Sequence, residues 1–416
     1  MVPLPAAGRP AVDVAADLDA RRVGDVDWRH GRAFSLAYYA GEDILGVATD
    51  AYARFLTENA LNTGAFPSLR ALQADVVDIV SGWLHGGEAA AGFMTSGGTE
   101  SILLAVLAAR ERGRAERGVS EPNMVLPASA HAAFEKAAHY FGVESRRIPV
   151  GDDWRADPST MAAAVDDATV LLVASAPQYP QGVVDPVAAI AALAVERAIN
   201  CHVDACMGGV TLPYLERLGH PVEPFDFRVD GVTSMSVDLH KYAYTAKGAS
   251  VVLYGDKQLR RYQTFITENW LGGVYGSSGI QGTKSGGAVA AAWAVLQYVG
   301  DDGYFALTAA ARRAAEAVAT AIAGIDGLVL RAWPDTTLIA FGADDPAALD
   351  VFAVADALWA RGWYVDRQGP PPSLHCTVTA GHEASIDTFV AVLQDAVDDV
   401  QRGAGRGTAG AYGTVE

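Results

Sequence analysis

Four short segments of this chain set chemically capable side chains beside turns where apolar runs end. In SMSVDLHKYAYTAK, Lys241 follows His240 directly after an apolar run. A lysine that is partly desolvated beside an imidazole can lose its proton and attack a carbonyl, which arginine cannot do. Only five of the 31 basic residues are lysines (Lys136, Lys241, Lys247, Lys257 and Lys284), and two of them share the heptapeptide KYAYTAK. In CHVDACMGG, Asp204 ends another apolar run. Ligands of open α/β sheets bind at such strand ends, and a carboxylate buried there needs a cationic partner. In MTSGGTESILLAVLAAR, Ser96, Gly97, Gly98 and Thr99 lead into a helical stretch. Small residues with helix-start amides suit a phosphate, and Glu100 suits the positive end of the helix dipole. No GK[ST] follows, so a nucleotide P-loop is not supported. In SAHAAFEKAAHYF, His131 opens a helix, where it either caps the backbone or stacks on a planar ring.

Together these give an imine-forming amine, a carboxylate suited to a pyridinium nitrogen, a stacking imidazole and a phosphate cradle. The combination predicts pyridoxal 5'-phosphate (PLP), held as a Schiff base by Lys241 and kept protonated on its ring nitrogen by Asp204. Ser236 and His240 are further candidates for contacts to the cofactor phosphate.

The elements that must position these residues alternate short apolar runs with helical periodicity. Apolar residues at three- and four-residue intervals predict a helix over 67–84, and another is expected near 44–55. Runs at 124–129, 168–176, 201–205, 230–237 and 248–254, with helices at 132–141 and 187–199, predict an α/β fold with a mostly parallel sheet. No helix separates the last two runs, so one antiparallel strand is expected. After about residue 300 a helix at 304–323, strands near 328–331, 337–341 and 374–379, and a helix at 386–400 predict a smaller α+β domain. In its third strand Leu374, Cys376 and Val378 alternate with polar residues, which predicts one solvated face. The expected organisation is an N-terminal arm (1–65), a large cofactor domain (66–300), a small domain (301–402) and a disordered tail (403–416).

The 416 residues carry a formal charge of -18, so a basic footprint for nucleic acid is absent. The three cysteines, Cys201, Cys206 and Cys376, form neither a disulfide framework nor a zinc spacing, so no metal is expected and a reducing, cytoplasmic setting is. The N-terminus lacks a signal-peptide pattern, and no apolar run reaches the length of a membrane span.

From Asn59 to Asp399 the chain resembles the sphingosine-1-phosphate lyase family, within the group II PLP-dependent decarboxylases of fold type I. TSGGTESIL, SAHAAFEKAA, PQYPQGVVDP, HVDACMGG, PFDFRVDGVTSMSVDLHKY and AKGASVVLY carry the resemblance. It implies a fold type I PLP-dependent transferase-like large domain with an N-terminal helical arm and a small C-terminal domain. It further implies a homodimer with active sites at the interface, acting on a small-molecule amine or amino acid. By position, Lys241 is the Schiff-base lysine, Asp204 pairs with the ring nitrogen, and His131 stacks on the ring. Gly98 and Thr99 hold the phosphate with His240, while Lys247 matches a lysine near the substrate phosphate. Tyr39 matches an N-terminal tyrosine, in SLAYY.

Two departures fall on the substrate side: Asn62 stands where the family has a histidine, and Lys284 where it has an arginine. A lysine cannot reproduce a bidentate guanidinium fork. These changes predict weak use of sphingosine 1-phosphate itself. The implied reaction is retro-aldol cleavage of a 2-amino-3-hydroxy substrate, with Tyr39, His131 or a substrate phosphate oxygen as base. Amino-acid decarboxylation uses the same cofactor residues and is the alternative. A catalytically silent homologue is disfavoured by the intact Lys241 and Asp204.

Overall fold

The computed structural model describes residues 1–403 together with residues 407, 408 and 410. The tail expected to be disordered therefore lies largely outside the described residues. The N-terminal arm carries helices α1 (Ala11–Arg21) and α2 (Glu42–Arg54), followed by α3 (Pro67–Trp83). The large domain then runs β1 (Ala91–Thr95), α4 (Gly98–Arg117), β2 (Asn123–Pro127), α5 (Ala133–Phe141), β3 (Glu144–Ile148), α6 (Pro158–Ala164) and β4 (Thr169–Ser175). It continues through α7 (Val187–Glu196), β5 (Asn200–Asp204), α8 (Thr211–Arg217), β6 (Ser234–Val237), β7 (Ser250–Tyr254) and α9 (Lys257–Arg260). A hairpin, β8 (Phe265–Thr267) and β9 (Tyr275–Ser277), precedes the long α10 (Gly286–Ala323). The small domain adds β10 (Leu328–Leu330), β11 (Leu338–Ala343), α11 (Val351–Ala360), β12 (Asp366–Gln368), β13 (Ser373–Thr377) and α12 (Ile386–Gln401).

The large sheet has the order β1-β7-β6-β5-β4-β2-β3. Its pairings are parallel from β3 through β6, and β7 runs antiparallel to both β6 and β1. The antiparallel strand expected from the missing crossover helix is thus β7. Continuous burial of β4, β5, β6 and β7 accounts for their unbroken apolar runs, since helices cover both faces. The edge strand β3 reads ESRRI and is only partly buried, so its charged sequence hides it from a hydrophobicity scan.

The small domain folds around its own core of Ile339, Phe341, Leu358, Leu374, Cys376 and Phe389, and the arm's Phe34 belongs to that core. Phe34 stacks on His382 with centroids 4.4 Å apart and lies 4.2 Å from Phe389. Helix α10 leaves helical geometry at Gly300 (φ 63°, ψ 178°); residues on both sides of this kink, as far as Leu307, pack in the large core, and from Ala314 the helix packs in the small one. One expectation is corrected. The polar face of β13 is not solvated: Ser373, His375 and Thr377 are all buried. That face turns toward the large domain, where His375 packs on Tyr179 at 4.2 Å between centroids, so alternation here marks an interdomain face.

Among the described residues, no helix is long and apolar enough to cross a membrane, and no cluster of His, Cys, Asp or Glu could hold a metal. Because Phe34 is fully buried among aromatic rings, Phe34→Ala should destabilise the protein by about 3–5 kcal/mol, the range for emptying a buried phenylalanine site. Urea unfolding followed by circular dichroism would show a lower midpoint; an unchanged midpoint would contradict the packing role.

Candidate active site

The C-terminal ends of four strands converge on a cavity of about 370 Å³ lined by residues 96–100, His131, Pro177, Tyr179, Asp204, Cys206, Met207, Asp238, His240 and Lys241. Strand β1 delivers the Ser96–Thr99 turn, β4 delivers Pro177 and Tyr179, β5 ends on Asp204, and β6 leads into Asp238 and Lys241. The strand ends of a mostly parallel sheet are the ligand edge of such folds.

The turn before α4 is held by Glu100. One carboxylate oxygen accepts from Ser96 N and Ser96 Oγ, both at 2.7 Å, and the other accepts from Ile280 N at 2.8 Å. The first amides of α4 have no acceptor within the helix, which leaves them for an anion. Gly98 is required by space: a Cβ there would meet Cys206 Sγ at 2.7 Å and Asp238 Oδ2 at 2.8 Å.

Asp204 is buried, and its Oδ1 accepts from Cys206 N and Ser236 Oγ, each at 3.1 Å. Ser236 in turn contacts His202 Nε2 at 3.2 Å. Ser236 therefore orients Asp204 within the sheet and is not among the residues lining the cavity, which corrects its assignment to the phosphate. His131 Nδ1 accepts from Ala133 N at 3.1 Å, so capping and facing the cavity are combined in one side chain. Burial lowers the His131 pKa, partly opposed by the Asp204 charge, so the neutral ring is favoured and suits stacking.

Lys241 Nζ lies 3.0 Å from Asp238 Oδ2. Asp238 also accepts from Ser250 Oγ at 2.6 Å. Burial alone pushes the Asp238 carboxyl up, but the Lys241 and His240 charges outweigh it and leave it below the usual range. Sequence reasoning passed over Asp238; its signal was an acid three residues before the lysine, where the turn folds back. His240 Nδ1 lies 3.4 Å from Ser250 Oγ, and its pKa is lowered by burial.

The substrate-side candidates are placed differently. Tyr39 donates its hydroxyl to Glu42 at 3.0 Å and lines a separate apolar pocket with Trp28 and Leu45. The neighbouring Tyr38 is the one directed inward, with its hydroxyl 3.8 Å from Met207 Sδ and its ring 4.7 Å from Lys247 Nζ. Lys247 is exposed as a residue, and its ammonium donates to His240 O at 3.4 Å; burial, then the Lys241 charge, pushes its pKa down to about 8. Asn62 is exposed and accepts from Gly64 N at 3.0 Å. Lys284 donates to Gln73 Oε1 and Met94 O, both at 2.6 Å, in a second cavity. Neither Asn62 nor Lys284 lines the cavity that holds Lys241. Tyr179, another residue sequence reasoning passed over, does line it; PQYPQG carried it only as a matching segment.

The donor set fits PLP: helix-start amides suited to a phosphate, a neutral imidazole, a carboxylate with one oxygen already oriented, and an amine held 3.0 Å from a second carboxylate. When bound, PLP supplies an aldehyde for the amine and an electron-withdrawing ring.

Residues 12–343 match the model of the pyridoxal-dependent decarboxylase conserved domain. Sphingosine-1-phosphate lyase 1 of Rattus norvegicus is 39% identical over 91% of this chain, which spans 66% of the rat protein. Sphingosine-1-phosphate lyase of Oryza sativa subsp. japonica is 38% identical over 94% of this chain and 74% of its own length. The chain thus covers about two thirds to three quarters of these relatives. Among solved structures, a sphingosine-1-phosphate lyase of Burkholderia pseudomallei superposes with a TM-score of 0.92 at 38% identity, covering 97% of this chain and 94% of that one. Glutamate decarboxylase of Lactobacillus brevis, at 21% identity and TM-score 0.85 over 97% of this chain and 96% of that one, shows the same fold.

Borohydride reduction of the protein loaded with PLP should fix the cofactor on Lys241, because that amine alone among the five lysines lines the cavity. Peptide mapping that places the label on Lys247 or Lys284 would overturn the assignment.

Proposed function

The chain belongs to the pyridoxal-dependent decarboxylase family, and on that premise we propose that it is a carbon–carbon lyase of the sphingosine-1-phosphate lyase type. Its substrate would be a phosphorylated or otherwise anionic 2-amino-3-hydroxy compound, cleaved to an aldehyde and an amine. The observation that carries this reading is the 38% identity over nearly the whole chain to a lyase structure of the same fold, with the cofactor residues gathered in one cavity.

In this reading Asp204, oriented by Ser236 and Cys206 N, keeps a proton on the ring nitrogen. His131 packs on the ring face, and the α4 amides with His240 hold the phosphate. Asp238 steadies Lys241 as an ammonium until ligand displaces that contact. Lys247, beside Tyr38, offers the positive charge for an anionic substrate. Of the candidate bases, Tyr39 is directed at Glu42, which leaves His131 and a substrate phosphate oxygen.

The homodimer belongs to the same proposal. Hairpin β8–β9 and its turn expose Phe265, Ile266, Trp270, Leu271 and Val274, a patch that burial against a second copy would cover. The loops bearing Asn62 and Lys284 are tied together through Asn59: Lys284 N donates to Asn59 Oδ1 at 3.2 Å and Ala60 N to Lys284 O at 2.9 Å. Placed away from their own cavity, they are available to the partner's. A cytoplasmic setting suits the three buried, free cysteines.

Incubation of the holoenzyme with sphingosine 1-phosphate and with a panel of amino acids should release a long-chain aldehyde from the former, in place of the weak use expected from Asn62 and Lys284, since neither lines the cavity of Lys241. Carbon dioxide from an amino acid, with no aldehyde, would replace this reading with decarboxylation. Asp204→Asn should keep the cofactor imine but lower turnover by about a hundredfold or more, as loss of one preorganised charge at a reacting centre does. Wild-type rates in that variant would remove Asp204 from its role.

Lys247 is charged below a pKa of about 8 and neutral above it. KM for an anionic substrate should therefore rise as pH passes upward through about 8, and Lys247→Met should have a raised KM that no longer changes there. Identical pH profiles for the two proteins would show that Lys247 does not bind the substrate's charge.

A further inference from the structure

We propose that Asp366, the first residue of β12 in the small domain, is a positioning residue that holds the Tyr179 hydroxyl as a donor at the edge of the cofactor cavity. Tyr179 Oη donates to Asp366 Oδ2 at 2.6 Å, with Ser35 Oγ 3.4 Å away. Tyr364 Oη donates to the other oxygen, Oδ1, at 2.8 Å, so two phenols fix the plane of one carboxylate. Tyr179 lines the cofactor cavity with His131 and Lys241, and also a neighbouring interdomain cleft of about 600 Å³ with Asp366. The hydrogen bond therefore crosses from the small domain to the wall of the active site.

The surroundings leave Asp366 in control of the phenol proton. On the small-domain side the Tyr179 ring rests on the buried His375, with centroids 4.2 Å apart. Burial drops the His375 pKa to about 4, so this imidazole brings no positive charge to stabilise a phenolate. Tyr38 is the other phenol that interacts with Tyr179. Across the cavity stand His131, Asp204, Asp238 and Lys241. Ionising Tyr179 would set a negative oxygen 2.6 Å from a carboxylate in a buried site, which is strongly unfavourable. Burial first, and then Asp366, hold its pKa well above the ordinary value. Any proton that Tyr179 exchanges with a ligand thus leaves from a phenol kept whole by the small domain.

Asp366→Asn keeps an acceptor oxygen and removes the charge. This inference rests on the PLP reading for its site, but its test needs no substrate. Alkaline titration of holoenzyme tyrosinate by ultraviolet absorbance, in wild type, Asp366→Asn and Asp366→Asn/Tyr179→Phe, isolates one phenol. Both phenols that donate to Asp366 should titrate about one to three pH units lower in Asp366→Asn, and the double variant should lose the Tyr179 part and keep only that of Tyr364. Asp366→Glu should restore the wild-type titration. The same titration in wild type and Asp366→Asn would overturn the proposal, as would an extra tyrosinate of undiminished amplitude in the double variant. If Asp366→Asn shows altered folding, Tyr364→Phe is the second variant. By freeing Oδ1 it should leave Tyr179 held and its titration in place, and a Tyr179 shift as large as that expected for Asp366→Asn would overturn the assignment. A Tyr179 shift in a protein that cleaves none of the candidate substrates would support this role while rejecting the lyase reading.

Discussion

The cavity depends on satisfying two buried carboxylates beside an amine at the ends of adjacent strands. Asp204 ends β5, and Asp238 follows β6, its hydrogen-bonded neighbour in the sheet. Burying such charges is costly unless each is paired and its remaining lone pairs are filled. The chain meets this for Asp238 with Lys241, Ser250 and a nearby His240, and for Asp204 with Cys206 N and Ser236. Ser236 has a structural role because of this constraint. A hydroxyl on β6 beside Asp204 is worth more as a donor to the carboxylate than as a distant phosphate contact.

The small domain is part of the same arrangement. Tyr242, the residue after Lys241, donates its hydroxyl to Val378 O at 2.9 Å and accepts from Thr337 at 2.5 Å. Tyr304, on the part of α10 packed in the large core, donates to Ala243 O at 3.0 Å. The turn that presents Lys241 is therefore pinned from two sides by residues far away in sequence. The buried polar face of β13 and the Phe34 ring in the small core tie the arm, the turn and the small domain into one support. Movement of one domain against the other would disturb the lysine.

The candidate site was legible wherever a residue's type and its local neighbours set its environment. Lys241, Asp204, His131 and the Gly98–Thr99 turn could be read because each sits at the end of an apolar run, and burial at a strand end restricts what a polar group can be for. Asp238 lay in the same heptad of sequence as Lys241 and was legible in principle, as an acid one turn back from a lysine. Tyr38 and Tyr39 could not be told apart, since both line one apolar pocket and nothing local says which hydroxyl reaches Met207 and which Glu42. Strand β3 was hidden by charge at a sheet edge, and β1 by a short Ala-Gly-rich sequence.

The sequence alone determined the cofactor, the lysine that lines its candidate cavity and the mostly parallel sheet, because those rest on residue chemistry and on periodicities of a few residues. Only the tertiary structure decided which polar residues serve the cavity. It put Ser236 on Asp204, directed Tyr39 to Glu42, moved Asn62 and Lys284 off their own cavity and brought Asp366 to Tyr179, 187 residues away in sequence. The reason is that a hydrogen bond is fixed by distance and direction in space. Contacts between a strand end and a second domain leave no periodicity in the chain that makes them.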